Sequence, residues 1–221
     1  MNLSPEIISQ LRPETLKALL EVYEEKSKVK IEEDGIKTID EDWELSQFWY
    51  TKETSDKVMN LIMKFAAENN FKNIALLCTP SLYRAYLRIK ERKREDKSEF
   101  DCDFNVKVFE FDKRFQAFGD DYVFYDVNKP LDLDETHKNS YDILVVDPPF
   151  LSVDIALKAS ATIKFLRREE KSAVIFLTGL IMEKHICAEF NNLKLTKIKI
   201  EHEGLNNPFG LFSTVDLEGE Q

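Results

Sequence analysis

The chain has 221 residues, 43% of them hydrophobic, and a formal net charge of −10. This is enough apolar content for one α/β domain with a full core. No apolar stretch has the length of a membrane span, and the acidic balance argues against a nucleic-acid duplex, which calls for a basic face. Cys78, Cys102 and Cys187 are scattered, as are the three histidines. That spacing argues against a disulfide framework and a metal site, and suits a reduced intracellular compartment. Met1-Asn2-Leu3-Ser4-Pro5-Glu6 lacks the basic start and apolar run of a signal peptide.

From Leu3 to Lys28, apolar residues at Ile7, Ile8, Leu11, Leu16, Leu19, Leu20 and Tyr23 predict helices, with Pro13 opening the second. Lys30 to Glu44 is polar and acidic, a connection. Trp43, Leu45, Phe48, Trp49 and Tyr50 then form a dense aromatic cluster. Val58, Leu61, Ile62, Phe65 and Ala66 recur at helical spacing within Ser55–Asn69.

Strands and helices alternate from there. Asn73–Cys78, Phe104–Phe111, Tyr122–Tyr125, Ile143–Val146 and Ala173–Leu177 read as strands. Pro80 to Glu91, Ser152–Arg168 and Leu180–Phe190 read as helices. Lys90 to Glu99 is a mixed charge run, a solvated helix end and loop. Thr178-Gly179 reads as a plain turn. Leu193–Glu201 and Leu211–Val215 add two strands, with Asn206-Asn207-Pro208 as the turn before the last. The alternation predicts a mostly parallel sheet with an antiparallel addition near one edge. Two parts are expected: an N-terminal helical extension with the aromatic segment over residues 1–50, and an α/β domain over 51–221.

The most informative stretch is Tyr141–Phe150. An Ile/Leu/Val run, buried on both faces if parallel, ends in Asp147-Pro148-Pro149-Phe150. Ligands of open α/β sheets bind at such strand ends. The prolines fix two φ angles and hold the acid and the aromatic ring in a stiff turn. A carboxylate, nearby carbonyls and a ring face together suit a nitrogen that develops positive charge.

The other strand ends are polar too: Cys78-Thr79-Pro80-Ser81, Glu110-Phe111-Asp112, and Tyr125-Asp126. An acid closing the second strand of a nucleotide-binding sheet accepts hydrogen bonds from ribose hydroxyls. Strand alternation lets only one of Glu110 and Asp112 point to the ligand, and Asp112, at the end of the run, is favoured. Asp126 is placed to accept from an exocyclic amine of a base. No G-x-G-x-x-G or Walker pattern occurs, and the chain has only six glycines. That counts against NAD and ATP. S-adenosylmethionine, which carries adenosine and no phosphate, fits better. Residue chemistry alone leaves adenine and lysine as near-equal acceptors.

Asp147-Pro148-Pro149-Phe150 resembles the (Asp/Asn/Ser)-Pro-Pro-(Tyr/Phe/Trp) motif of class I methyltransferases that act on amino nitrogens. Trp43-Glu44-Leu45-Ser46-Gln47-Phe48-Trp49-Tyr50, Phe109–Phe115 and Phe124–Leu133 resemble one eukaryotic family. It was first described as N6-adenine methyltransferases and is now understood as lysine methyltransferases of translation elongation factor 1-alpha. The resemblance runs from Trp43 to Gly179. It implies a Rossmann-like, seven-stranded class I sheet, S-adenosylmethionine as donor, and a protein lysine of elongation factor 1-alpha as acceptor. A cytoplasmic monomer without nucleic-acid or membrane partners is the expectation. By position, Asp147, Pro148, Pro149 and Phe150 would be catalytic. Phe48, Trp49, Tyr50, Cys78, Thr79, Pro80, Ser81, Glu110, Asp112, Asp126 and Asp147 would bind the cofactor. Phe48, Trp49 and Tyr50 read equally well as an anchor packing the preceding segment onto the core. The first-strand loop lacks the glycines of typical class I enzymes, and the charge run and the tail after Glu201 match no family pattern.

A lysine attacks only as a neutral amine, although its reference pKa is about 10.4. Asp147 and the Pro148 carbonyl are expected to orient that amine, and Phe150 with Trp49 to face the growing cation. Two other readings stay open: adenine-N6 methylation of DNA or RNA with Phe150 stacked on a flipped base, and a catalytically silent methyltransferase-fold binding module.

Overall fold

The computed structural model describes residues 12, 15–17, 29–31, 36–95, 103–168, 171–205 and 207–218. They fall into two compact units, residues 1–40 and 41–221. Within the first, Lys30–Ile31 pairs antiparallel with Lys37–Thr38. Of the helices read over residues 3–28, one turn is described, in which Leu16 N–H donates to the Arg12 carbonyl at 2.9 Å. The rest of that reading lies outside the described residues, as do residues 96–99 of the charge run and Asn206 of the expected turn.

The second unit is built on seven strands: β1 (Asn73–Leu77), β2 (Asn105–Glu110), β3 (Tyr122–Phe124), β4 (Ile143–Val146), β5 (Ala173–Gly179), β6 (Lys194–Lys199) and β7 (Phe209–Ser213). Their order across the sheet is β3-β2-β1-β4-β5-β7-β6. All neighbours from β3 to β5 are parallel, and β7 runs antiparallel between β5 and β6. The expected sheet is therefore present. Thr178-Gly179 is not a turn: both residues continue β5, paired with Gly210 and Phe209. Antiparallel pairing with β7 supplies hydrogen bonds that extend β5 past its parallel partner β4. A side chain at Gly179 would collide with Leu151, its built Cβ lying 2.8 Å from Leu151 Cδ1.

Four helices cover the sheet: α1 (Lys52–Glu68), α2 (Pro80–Glu95), α3 (Val153–Leu166) and α4 (Glu183–Glu189). Thr51 caps α1 by accepting from Thr54 N–H, and Ser152 caps α3 by accepting from Ile155 N–H. Pro80 opens α2, where its missing N–H costs nothing. Strand alternation divides the core. Ile74, Leu76, Val106 and Val108 pack with Val58, Met59 and Ile62 of α1 and with Leu82 and Tyr86 of α2. Ala75, Leu77, Leu144 and Val146 pack with Ile155, Ala159 and Ile163 of α3 and with Ile186 of α4. Between α1 and α2, Arg88 reaches Asp56 at 2.7 Å. Burial alone would raise the Asp56 carboxyl, but hydrogen bonds from Arg88, Lys52 and Arg92 outweigh it and hold the group below the usual range.

Register decides what meets at the strand ends. Leu77 lies opposite both Phe109 and Val146. The next backbone bonds are Cys78 N–H to the Phe109 carbonyl at 2.9 Å and Asp147 N–H to the Leu77 carbonyl at 3.1 Å. Cys78, Glu110 and Asp147 thus sit side by side where the strand order reverses, at the crevice position of open α/β sheets. At the other end of these strands, the buried Asp142 carboxylate accepts from Lys72 N–H (3.0 Å), Asn73 N–H (2.9 Å) and Arg168 Nη1 (2.8 Å). Replacing Asp142 with Ala strands these donors and should cost about 2–4 kcal/mol of unfolding free energy in urea titrations.

Candidate active site

A cavity of about 260 Å³ opens at the carboxyl ends of β1, β2 and β4. Its walls include Phe48, Trp49, Cys78, Pro80, Ser81, Glu110, Asp126 and Asp147–Phe150. Three of the residues expected at the cofactor do not line it: Tyr50, Thr79 and Asp112. Asp112 is committed elsewhere. It caps the 3-10 segment Lys113–Asp121 by accepting from Arg114 N–H, and it also takes Arg114 Nε at 2.8 Å and Gln47 Nε2 at 3.2 Å. The preference for Asp112 over Glu110 is thereby reversed. Glu110 is the acid on the cavity wall, because the chain turns after it and carries Asp112 toward Arg114.

Thr79 is buried, and its hydroxyl has no hydrogen-bond partner among the described residues. Cys78 lies at φ 54°, a left-handed conformation that favours glycine. This non-glycine residue makes the tight β1–α2 turn that glycine ordinarily supplies. Burial pushes its thiol well up, with Glu110 and Asp147 adding to the effect, so it is a poor nucleophile.

The segment before α1 is anchored twice. Gln47 bridges Asp112 and Arg114. Trp49, Tyr50 and Thr51 pair with the β6–β7 connection: Glu203 N–H donates to the Trp49 carbonyl, Thr51 N–H donates to the Glu201 carbonyl, and Tyr50 bridges His202. Trp49 is buried with its edge toward Phe115 and also lines the cavity, so anchoring and lining coexist in one ring. Residues 41–50 belong to the second compact unit, which begins at 41, ten residues before the expected start at 51.

Asp147 lines the cavity at the end of β4. Its Oδ2 accepts from the Tyr50 hydroxyl. Burial raises its carboxyl to about 8, with Glu110 adding to the rise and the Tyr50 hydrogen bond opposing it. Burial likewise raises Glu110 to about 7, although Phe111 and Asp112 N–H groups donate to its Oε1. Phe150 stands 53% exposed at the cavity mouth, a ring available to an incoming ligand.

His202 and Phe209 complete the wall. The His202 ring lies 4.6 Å from Tyr50 and 4.5 Å from Phe209, centroid to centroid. Burial lowers it to about 4, so it is neutral at physiological pH. Nothing in the local sequence around His202 signals this. Only the antiparallel pairing of β7 with β5 brings the preceding connection across to the site.

Among the described residues, the cavity wall carries four carboxylates, Glu44, Glu110, Asp126 and Asp147, and no Lys or Arg. Such a wall suits a cationic ligand bearing hydroxyls and an amine, and offers nothing to phosphates.

Residues 41–217 match the family model described as "Probable N6-adenine methyltransferase". EEF1A lysine methyltransferase 1 of Mus musculus is 37% identical, over 95% of this chain and 93% of its own. Protein-lysine N-methyltransferase EFM5 of Saccharomyces cerevisiae is 34% identical, over 94% and 85% respectively. The chain belongs to the EEF1A lysine methyltransferase family. Both family descriptions, whichever acceptor they name, are of methyltransferases, and the chain is an enzyme of that kind. Among solved structures, TrmN from Thermus thermophilus aligns with a TM-score of 0.43 at 12% identity, over 74% of this chain and 51% of its own. No described helix is long and apolar enough to cross a membrane.

The raised carboxyl of this family member has a consequence for stability. Asp147 titrates near 4 when unfolded and near 8 when folded, so the folded state binds the extra proton. Its stabilising contribution is complete below about pH 4 and is lost as pH rises toward 8. Asp147→Asn removes that loss, while Glu110 titrates in both proteins. In melting curves the variant should match the parent at pH 4 and exceed it at pH 8.5, each kcal/mol of relief raising Tm by about 2–4 °C.

Proposed function

We propose that the chain is an S-adenosylmethionine-dependent protein-lysine N-methyltransferase acting on translation elongation factor 1-alpha in the cytoplasm. One observation carries the chemistry: the half-buried Asp147 carboxylate lines, together with Glu44, Glu110 and Asp126, an aromatic cavity with no Lys or Arg among its described residues, at the switch point of the sheet. The mouse and yeast relatives, both lysine methyltransferases by name, support lysine as acceptor, and the mouse relative's name supports elongation factor 1-alpha as its carrier.

S-adenosylmethionine, when bound, supplies an electrophilic methyl carbon on a sulfonium. The residues present fit it. Glu110 would take the ribose hydroxyls in place of Asp112, and Asp126 the exocyclic amine. Phe48, Trp49, Cys78, Pro80 and Ser81 would enclose the rest. Asp147 and the Pro148 carbonyl orient the lysine amine, whose nitrogen must present its lone pair. An ammonium entering beside Asp147 favours the ionised carboxylate, so the pair must shed one proton before transfer. Leu45, Phe48, Trp49 and Phe150 exclude water and favour the neutral amine. The ring of Phe150 faces the cation that forms on nitrogen. Positioning of this kind can supply on the order of 7–11 kcal/mol of the barrier.

With labelled cofactor, the protein should methylate purified elongation factor 1-alpha and leave duplex and single-stranded nucleic acid unlabelled. Label confined to nucleic acid would favour adenine instead. Asp147→Ala should abolish transfer while calorimetry still registers cofactor binding. Glu110→Ala should weaken cofactor binding by about 10-fold or more through loss of charged hydrogen bonds. Equal affinity in the variant would remove Glu110 from the cofactor site.

A further inference from the structure

Tyr50 was expected to flank the cofactor, yet it does not line the cavity. Its ring is buried, 3% exposed, and its hydroxyl is spent on Asp147. Two elements hold it from opposite sides. On the chain side it directly precedes Thr51, the cap of α1, whose inner face is locked into the core. Across the sheet end, its backbone bridges His202, and the flanking bonds Glu203 N–H to Trp49 and Thr51 N–H to Glu201 measure 3.1 and 2.9 Å. The His202 ring packs on Tyr50 and is backed in turn by Phe209, which pairs with Gly179 at the end of β5. A phenol fixed this firmly has one polar contact to offer, and it offers it to the catalytic carboxylate.

We propose that Tyr50 is a positioning residue for Asp147: it clamps Oδ2 so that the remaining carboxylate oxygen is presented to the acceptor amine. The assignment rests on Asp147 receiving the amine, as proposed above. The clamp fixes the carboxylate rotamer before substrate arrives, sparing the ordering cost at the moment of reaction. It also favours the charged form of a group that burial disfavours, because an O–H donor stabilises a carboxylate. The other groups facing this pair are Glu110 from the end of β2, which opposes ionisation of Asp147, the Cys78 thiol from the end of β1, which opposes ionisation of Tyr50, and His202 from the β6–β7 connection, which is neutral. Among them the Tyr50 hydroxyl is the group that donates to Asp147 and promotes its ionised form.

Tyr50→Phe removes the hydroxyl and keeps the ring, so the packing against His202 remains. Two readouts test the clamp. In the free protein, carbon-13 NMR of labelled aspartate carboxyls, with the Asp147 signal assigned through Asp147→Asn, should show the Asp147 midpoint rising by about one pH unit in Tyr50→Phe. In methyl-transfer assays, kcat should fall about 10- to 100-fold at pH 7.5 and recover partly as pH rises, with KM for the protein acceptor little changed. An unchanged Asp147 midpoint, or a loss of kcat equal at every pH, overturns the positioning role. Because the NMR readout needs neither cofactor nor acceptor, it stands or falls separately from the choice of acceptor. Should the wild-type protein label only nucleic acid, the lysine reading fails while the clamp is still decided by the titration.

Discussion

A carboxylate drawn out of bulk water must find hydrogen-bond donors or take up a proton, and Asp147 is set between these two demands. Burial beside Glu110 pushes it toward the neutral acid, while the Tyr50 hydroxyl pulls it toward the anion. The rest of the site follows from this balance. No Lys or Arg is among the described residues of the cavity wall, so the wall is acidic and suited to a cationic ligand. A free enzyme built this way gives up stability near neutral pH, as functional sites commonly do.

The scaffold that creates this tension is strand register. Because β1 lies opposite β2 and β4 with Leu77 facing Phe109 and Val146, three polar residues emerge together at one edge. At the opposite edge, Asp142 ties the strand starts with backbone and Arg168 donors. One end of the parallel block is thus tied together by hydrogen bonds to Asp142. The other end places Cys78, Glu110 and Asp147 on the cavity wall.

Much of the sheet was legible because parallel strands buried on both faces read as continuous apolar runs, as in Ile143–Val146 and Ala173–Leu177. The failures have local causes. Thr178-Gly179 resembles a turn because glycine usually ends a strand, yet pairing with β7 extends β5 through it. Asp112 looked better placed than Glu110 because it ends the polar run. One backbone turn after β2 is enough to redirect it to Arg114 and Gln47. His202 carried no signal, since its burial depends on Tyr50, some 150 positions earlier in the chain, and on Phe209.

Sequence alone determined the alternation of strands and helices in a mostly parallel sheet and the acid-Pro-Pro-aromatic turn at the end of a buried strand, and it argued against a phosphate-bearing cofactor. Those properties are local: they depend on periodicity, on proline geometry and on which residues end a strand. Tertiary structure decided which acid lines the cavity, which aromatic ring donates to Asp147 and which lines the wall, and in which direction the Asp147 carboxyl is displaced from its ordinary range. These depend on contacts between segments remote in sequence and on the desolvation they produce together, which no single segment encodes.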